Sequence, residues 1–287
     1  MNQQFRRIRH GLGHYLKGVV VGVANIIPGV SGGTIAVTLG IYDRLILAVN
    51  ALLSRSRAVL AEVPFLAAVA GGVLSGVFLF AGAFEHVYSA YPFEVAFLFM
   101  GLILGGLGPL WHTASRYRIR PYHGLHFALA LAAVLSLLLV SPADLGTELP
   151  ELSAAVSLLL IASGAAAAAA MVVPGISGSL VLVLLGTYGP ILQAVASRNL
   201  VALGLVMIGV VFGGITITRL MALLLQRAPA ATYSVIFGLV LGSVPRLFPG
   251  FPEGATVAAA IAAFSLGFAA AILVVPRDQR RAAARRQ

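Results

Sequence analysis

Long uncharged stretches dominate this sequence and constrain its fold more than any other feature. Only 10% of the 287 residues are charged, against about 25% in a typical soluble domain, and the mean hydropathy is +0.99. A water-soluble globule is therefore excluded, and since about 20 apolar residues suffice for one crossing, the sequence predicts an all-α polytopic membrane protein. The uncharged stretches are 18–42, 63–84, 95–111, 127–143, 152–197, 199–218, 228–245 and 254–276.

Two of these stretches are interrupted by a Pro-Gly pair. Pro28-Gly29 lies within 18–42, and Pro174-Gly175 lies within 152–197. Proline removes a backbone donor and disfavours helix at the residue before it, so each stretch should contain two half-helices. We expect a re-entrant hairpin at both places. Two full crossings are the alternative, because both arrangements return the chain to the side from which it entered.

The two halves of the chain are related by an internal duplication. Residues 25–46 and 171–192 align without gaps, with eight identical positions in 22, and further landmarks follow in the same order. These are GLILG at 101–105 with GLVLG at 238–242, and Gly71-Gly72 with Gly213-Gly214.

Each half should contain one broken segment and three plain spans. Because three is an odd number, the second half is predicted to insert upside down relative to the first. Inverted repeats with interrupted helices at matching positions are typical of secondary transporters. The predicted organisation is a cytoplasmic segment 1–17, repeat A at 18–143, repeat B at 152–276 and a basic cytoplasmic tail 277–287.

The basic residues fix the predicted orientation. If both termini are cytoplasmic, 17 of the 19 lysines and arginines face the cytoplasm, and only Arg198 and Arg246 lie outside. The arginines stand in short clusters between apolar stretches, which indicates topology signals and no nucleic-acid surface. The absence of cysteine excludes disulfides, thiol catalysis and iron–sulfur clusters, and the histidines show no metal-ligand spacing.

The two Pro-Gly-x-Ser-Gly motifs are the predicted binding site for an anionic headgroup. Ser31 and Ser177 should cap the half-helices that follow, predicted at 33–50 and 179–196, and the N–H groups at a helix start bind phosphate well. The alternative is that each motif only turns a hairpin. The candidate binding residues are Asn25, Pro28, Gly29, Ser31, Gly32, Gly33, Thr34, Pro174, Gly175, Ser177, Gly178 and Ser179.

Arg219 and Arg44 are the candidate positive charges of this site. Arg219 precedes Arg227 by eight residues and so lies about 12 Å deeper along a helix. An arginine at that depth indicates function by default, with snorkelling to the headgroups as the alternative. Asp43 and Arg44 lie at a predicted interface, where they form either an ion pair or a substrate gate.

Four motifs stand in order along the chain: PGVSGGT at Pro28–Thr34, GIYDR at Gly40–Arg44, PGISGS at Pro174–Ser179 and ATYSVIFGLVLGS at Ala231–Ser243. Together they resemble the PopT family of membrane proteins, and the resemblance spans about residues 14–250. It implies a transporter, and no enzyme, that returns undecaprenyl phosphate from the outer to the inner leaflet of the bacterial cytoplasmic membrane for envelope polymer synthesis. No cofactor is implied. The expected coupling ion is a proton, and the sequence alone assigns no carboxylate to carry it.

Two other functions remain as alternatives. Undecaprenyl-pyrophosphate phosphatases carry a similar PGxSRS-type motif, but Gly32 and Gly178 stand at the arginine positions here. No two glutamates lie within one helical turn in a span, which argues against phosphoryl transfer. A transporter or channel for small anions or ions stays open. The many glycines and alanines permit close helix contacts within one chain or in a homo-oligomer.

Single cysteines at Ala90 and Thr147 test the predicted orientation, because the chain has no native cysteine. We expect both to react with a membrane-impermeant thiol reagent outside intact cells, since both lie in segments predicted to be external. A cysteine at Ser115, predicted to be cytoplasmic, is the control and should react only after permeabilisation. Labelling of Ala90 or Thr147 only after permeabilisation would contradict the topology.

Overall fold

The computed structural model describes residues 3–26, 30–54, 59–137, 139–140 and 149–274. Within these ranges the chain is helical and contains no β-strand, as the sequence predicts. The helices are α1 (Gln3–Ile26), α2 (Gly32–Thr38), α3 (Tyr42–Leu53), α4 (Val59–Ala90), α5 (Pro92–Ala114), α6 (His123–Ser136), α7 (Ala154–Val172), α8 (Gly178–Leu184), α9 (Tyr188–Ala196), α10 (Leu200–Arg227), α11 (Pro229–Ser243), which a 3₁₀ turn follows (Val244–Leu247), and α12 (Ala255–Val274).

Six helices among the described residues are long and apolar enough to cross a membrane, and five of them match predicted spans. The sixth differs. The predicted span 127–143 overlaps α6, whose 14 residues extend about 21 Å, less than the hydrocarbon core of about 30 Å. Instead α7, expected as half of a hairpin, has 19 residues. Its run of alanines has the highest helix propensity, and the Ser153 side chain caps its first turn.

The half-helices predicted at 33–50 and 179–196 are each broken a second time. The axes of α2 and α3 differ by 118°, and those of α8 and α9 by 109°. Gly40 and Gly186 have φ values of +66° and +70° at these bends. In the first, the Gly40 and Ile41 N–H groups donate to Val37 and Ala36, the Schellman arrangement that ends a helix at glycine. The prediction of two continuous helices is wrong, because Gly40 and Gly186 adopt the left-handed conformation that ends a helix.

Helix packing repeats between the two halves. In the first half α1 packs along α4, and in the second half α7 packs along α10 in the same way. The remaining long pairs join the halves, since α5 packs on α12 and α6 packs on α11. The duplicated architecture is therefore visible in the packing, while the inversion of one half relative to the other stays a prediction.

Glycines let the paired helices approach closely. A Cβ atom at Gly72 of α4 would collide with the Tyr15 carbonyl oxygen of α1, and one at Gly76 with that of Val19. Gly209 and Gly213 of α10 meet the backbone of α7 equally closely, as small residues do in membrane helix pairs. Both pairs lie 137 positions apart. The predicted match of Gly71-Gly72 with Gly213-Gly214 is therefore wrong, and Gly72 and Gly76 correspond to Gly209 and Gly213.

Gly213 and Gly214 provide a matched pair of tests for this packing. A Cβ at Gly213 would collide with the Ala165 carbonyl oxygen, whereas one at Gly214 would have no neighbour within 4 Å. We expect Gly213→Ala to destabilise the protein by about 1–3 kcal/mol, as overpacking does, and to lower the unfolding temperature in detergent. Gly214→Ala should leave that temperature unchanged or raise it, because alanine favours helix. Equal unfolding temperatures for the two variants would refute the described packing.

Candidate functional site

Residues of both Pro-Gly-x-Ser-Gly motifs meet at one cavity, hereafter the motif cavity. Its volume is about 160 Å³. The end of α1 and the start of α2 supply one wall, and the end of α7 and the start of α8 supply the other. The structure thus brings together the two motifs that the sequence predicted to approach each other. The lining residues are Asn25, Val30, Ser31, Gly32, Met171, Ile176, Ser177, Gly178 and Ser179.

Four predicted binding residues join the two motifs and do not line the motif cavity. The Thr34 hydroxyl accepts a hydrogen bond of 2.7 Å from the Gly175 N–H, in a buried position. Gly33 faces the end of α7, where an added Cβ would lie 3.1 Å from the Met171 carbonyl oxygen and 3.5 Å from the Cα of Pro174. These residues hold the cavity walls at a fixed separation. Pro28 and Gly29 lie outside the described residues.

The serines stand at the start of each short helix but do not cap it. Ser31 and Ser177 occupy the N-cap positions of α2 and α8, and neither side chain accepts a bond from the first turn. The Ser31 hydroxyl, on a residue only 5% exposed, has no partner among the described residues. The Ser177 hydroxyl lies 2.8 Å from that of Ser179. The prediction that these side chains cap the two helices is therefore wrong. Because buried polar groups are normally hydrogen-bonded, the Ser31 hydroxyl is available to bind a ligand.

Asn25 distinguishes the first half of the cavity from the second. Its side chain lies against Gly32, where an added Cβ would overlap the amide. The corresponding position in the duplication is Met171, which contacts Gly178 in the same manner. One wall therefore carries an amide and the other a thioether.

The two predicted arginines do not reach the motif cavity. The Arg44 Nε donates to a Glu62 carboxylate oxygen at 2.8 Å, and its guanidinium lies 4.2 Å from the centre of the Phe65 ring. Arg219 is exposed on α10, on the same face as Phe212 and Leu223. That position is typical of an arginine that snorkels from lipid to headgroups. The described residues that line the motif cavity include no cation.

A second cavity, of about 120 Å³, lies among α2, α3, α5 and α11. Asp43 lies half-buried in its wall and accepts a hydrogen bond from the Tyr233 hydroxyl. The predicted alternative of an Asp43–Arg44 ion pair is therefore wrong. We call this the Asp43 cavity. It is lined by Val37, Gly40, Tyr42, Asp43, Pro109, Leu110, Thr113, Arg116, Tyr233 and Ile236.

Comparison with known proteins identifies the family. The family described as undecaprenyl phosphate translocase-like matches residues 21–269. The chain belongs to this family. It is 32% identical over 249 residues to a protein of Vibrio cholerae serotype O1 called polyprenyl-phosphate transporter, covering 83% of this chain and 78% of the relative. It is 29% identical over 277 residues to a polyprenyl-phosphate transporter of Staphylococcus aureus, covering 93% and 95%. No solved structure matches the chain.

The sequence of this family member predicts the motif cavity but not the Asp43 cavity. Its arginine clusters indicate only topology, whereas Arg116 lines the Asp43 cavity. Tyr233 belongs to the motif ATYSVIFGLVLGS, which was the available signal. Its link to Asp43 joins residues 190 positions apart, and spacing along the chain cannot reveal such a contact.

Thr34 and Thr38 test how the motifs are joined, since both are 1% exposed on one face of α2. We expect Thr34→Val to cost about 1–3 kcal/mol, because the buried Gly175 N–H loses its acceptor. Thr38→Val should be neutral or stabilising, because the Thr38 hydroxyl has no partner in the part of the chain that the structure describes. Thermal unfolding in detergent measures both effects. A Thr34→Val protein as stable as Thr38→Val would show that the hydrogen bond contributes nothing.

Proposed function

We propose that this protein transports undecaprenyl phosphate across the bacterial cytoplasmic membrane, from the outer to the inner leaflet, and that the phosphate binds in the motif cavity. Membership of the undecaprenyl phosphate translocase-like family supports a transporter of this lipid class, as do relatives named polyprenyl-phosphate transporter. The observation that carries the binding site is the meeting of two serine- and glycine-rich motifs at one cavity.

The motif cavity offers neutral donors to an anion. Moving a phosphate into hydrocarbon costs on the order of ten kcal/mol or more, and one hydrogen bond to a charged group returns about 1.5–3 kcal/mol. Four or five donors would therefore offset most of the cost. The hydroxyls of Ser31, Ser177 and Ser179 and the Asn25 amide line the cavity, and first-turn N–H groups lack partners within their helices. A site without a cation also releases its anion readily.

The headgroup alone needs such a site, because the prenyl tail is already soluble in lipid. The exposed surface is rich in large apolar side chains, such as Phe78, Phe212 and Leu266, and is compatible with a tail that remains outside the protein.

Net return of the lipid against a gradient requires an energy source, for which a coupled proton is our proposal. Both termini are proposed to be cytoplasmic.

We propose transport without hydrolysis. None of the described residues that line the motif cavity is a carboxylate, histidine or arginine that would serve as base, nucleophile or charge clamp, which argues against phosphoryl transfer there. Small-anion transport by the same cavity is the second candidate, because neutral donors recognise a phosphate group whether or not a tail is attached.

Proteoliposomes with undecaprenyl phosphate in both leaflets test the proposal. An impermeant reagent that modifies outer headgroups should reach about half of the lipid without protein and nearly all of it with protein. We expect Ser31→Ala to weaken headgroup binding about tenfold or more, the loss of one hydrogen bond to a charged group. Ser163→Ala is the control, since its hydroxyl is also buried and unpartnered but lines neither cavity.

Three outcomes would contradict this function. Headgroup accessibility that the wild-type protein does not change would exclude lipid transport. Free inorganic phosphate in the medium would indicate a phosphatase, and uptake of labelled inorganic phosphate at a comparable rate would indicate a small-anion transporter. Equal losses in Ser31→Ala and Ser163→Ala would move the headgroup site elsewhere.

A further inference from the structure

The Asp43 cavity contains a carboxylate that headgroup binding in the motif cavity does not use. Asp43 accepts from the Tyr233 hydroxyl and pairs with neither arginine nearby, since Arg44 is held by Glu62. Arg116 lines the same cavity and forms no ion pair with Asp43. One negative and one positive group thus share a half-enclosed space without neutralising each other by direct contact.

Asp43 and Tyr233 of this cavity have no counterparts in the other half, although Tyr42 has one in Tyr188. The repeat alignment places Gly189 opposite Asp43, and the GLILG/GLVLG register places Ala96 opposite Tyr233. The serines and glycines of the motif cavity, by contrast, are present in both halves. A group that binds at Asp43 therefore acts in one half only, as a step that distinguishes the two directions of transport would require.

We propose that Asp43 is the proton-binding site of the transport cycle and that a proton bound there travels in the same direction as the phosphate. This inference rests on the proposed function. When Asp43 is ionised, its charge offsets that of Arg116. A proton from the medium forms an O–H bond on the carboxylate and leaves the cavity with the net charge of Arg116. This positive charge favours phosphate binding in the motif cavity, to which Tyr42 links the site. When Asp43 loses its proton again, phosphate binding weakens, so that phosphate and proton are released together.

A proton fits this cavity better than a metal ion. Asp43 is the single carboxylate in the lining, and Arg116 repels a metal cation. The described residues contain no group of three or more acidic, histidine or cysteine side chains that could hold one. The other charged or titratable groups that line the cavity are Tyr42, Arg116 and Tyr233. Tyr117 stacks on Tyr233, and Arg44 pairs with Glu62. The α10 helix, which packs against α3, carries Arg219 and Arg227.

Tyr42 links this site to the motif cavity. Its hydroxyl donates to the carbonyl of Val172, the last residue of α7, at 3.1 Å. Gly40 forms the bend just before it, and the Lys17 ammonium donates to the Leu39 carbonyl at 2.7 Å. A shift of α3 on protonation of Asp43 is therefore passed through Tyr42 directly to the second motif.

Proton coupling is measured in proteoliposomes with the membrane potential clamped and a pH dye inside. With a gradient of about one pH unit, one coupled proton should concentrate undecaprenyl phosphate about tenfold in the leaflet on the alkaline side. We expect this ratio in the wild type, together with proton uptake reported by the dye when lipid is added. The control variant Glu253→Gln should behave in the same way, because Glu253 lies in a loop and lines neither cavity. Asp43→Asn should bring the ratio to about one.

Tyr233→Phe keeps the proposal testable if Asp43→Asn does not fold. It preserves the ring that stacks on Tyr117 at 5.6 Å and removes only the hydroxyl bonded to Asp43. We expect the pH midpoint of its transport to shift by more than half a unit, and that of Glu253→Gln to match the wild type.

The outcomes separate the two proposals. If the wild type does not move the lipid, the proposed function fails. If it moves the lipid but Asp43→Asn or Tyr233→Phe keeps the wild-type proton coupling and pH profile, the Asp43 site fails. A transport ratio that follows a sodium gradient and ignores the pH gradient would also overturn the proton site.

Discussion

The contact between the two interrupted segments is the interaction on which the rest of this structure depends. Each break leaves backbone N–H and C=O groups without helical partners, and inside a membrane protein such groups are tolerated only when protein or a wet cavity surrounds them. The Gly175 N–H finds Thr34, and the Val172 carbonyl finds Tyr42. Side chains of the first repeat therefore satisfy backbone groups of the second, and α2, which carries Thr34, is fully buried.

Close helix pairs provide the frame that holds this contact. In lipid, apolar side chains gain little by leaving one apolar surface for another, so packing between helices depends on shape. Gly72 and Gly76 bring α4 onto α1, and Gly209 and Gly213 bring α10 onto α7. Since α1 and α7 end at the two motifs, the same glycines set where each cavity wall stands. Large side chains such as Phe212 point outward instead.

Local features of this fold were predictable from sequence, and long-range pairings were not. Uncharged length predicted the spans, and the repeated prolines and glycines predicted the breaks and their meeting. The second bend at Gly40 depends on a left-handed residue, for which Leu-Gly was a readable signal. The partners of Asp43 and Arg44 lie 190 and 18 residues away. Only the packing of distant helices selects Tyr233 and Glu62 over the adjacent ion pair.

Aligned positions at which the two repeats carry different residues indicate where the two halves have different functions. A perfectly symmetric pair of repeats would present the same site to both leaflets. The outward-facing and inward-facing states would then have equal free energies. Here Asn25 stands opposite Met171 in one cavity, and Asp43 stands opposite Gly189 in the other. Lys17, bonded to the Leu39 carbonyl, stands opposite the buried and unpartnered Ser163. The charged members of these pairs, Lys17 and Asp43, both belong to the first half, and both meet the bend between α2 and α3, Lys17 through its bond to Leu39 and Asp43 at the start of α3. That bend is therefore where a difference in free energy between the two states is most readily set.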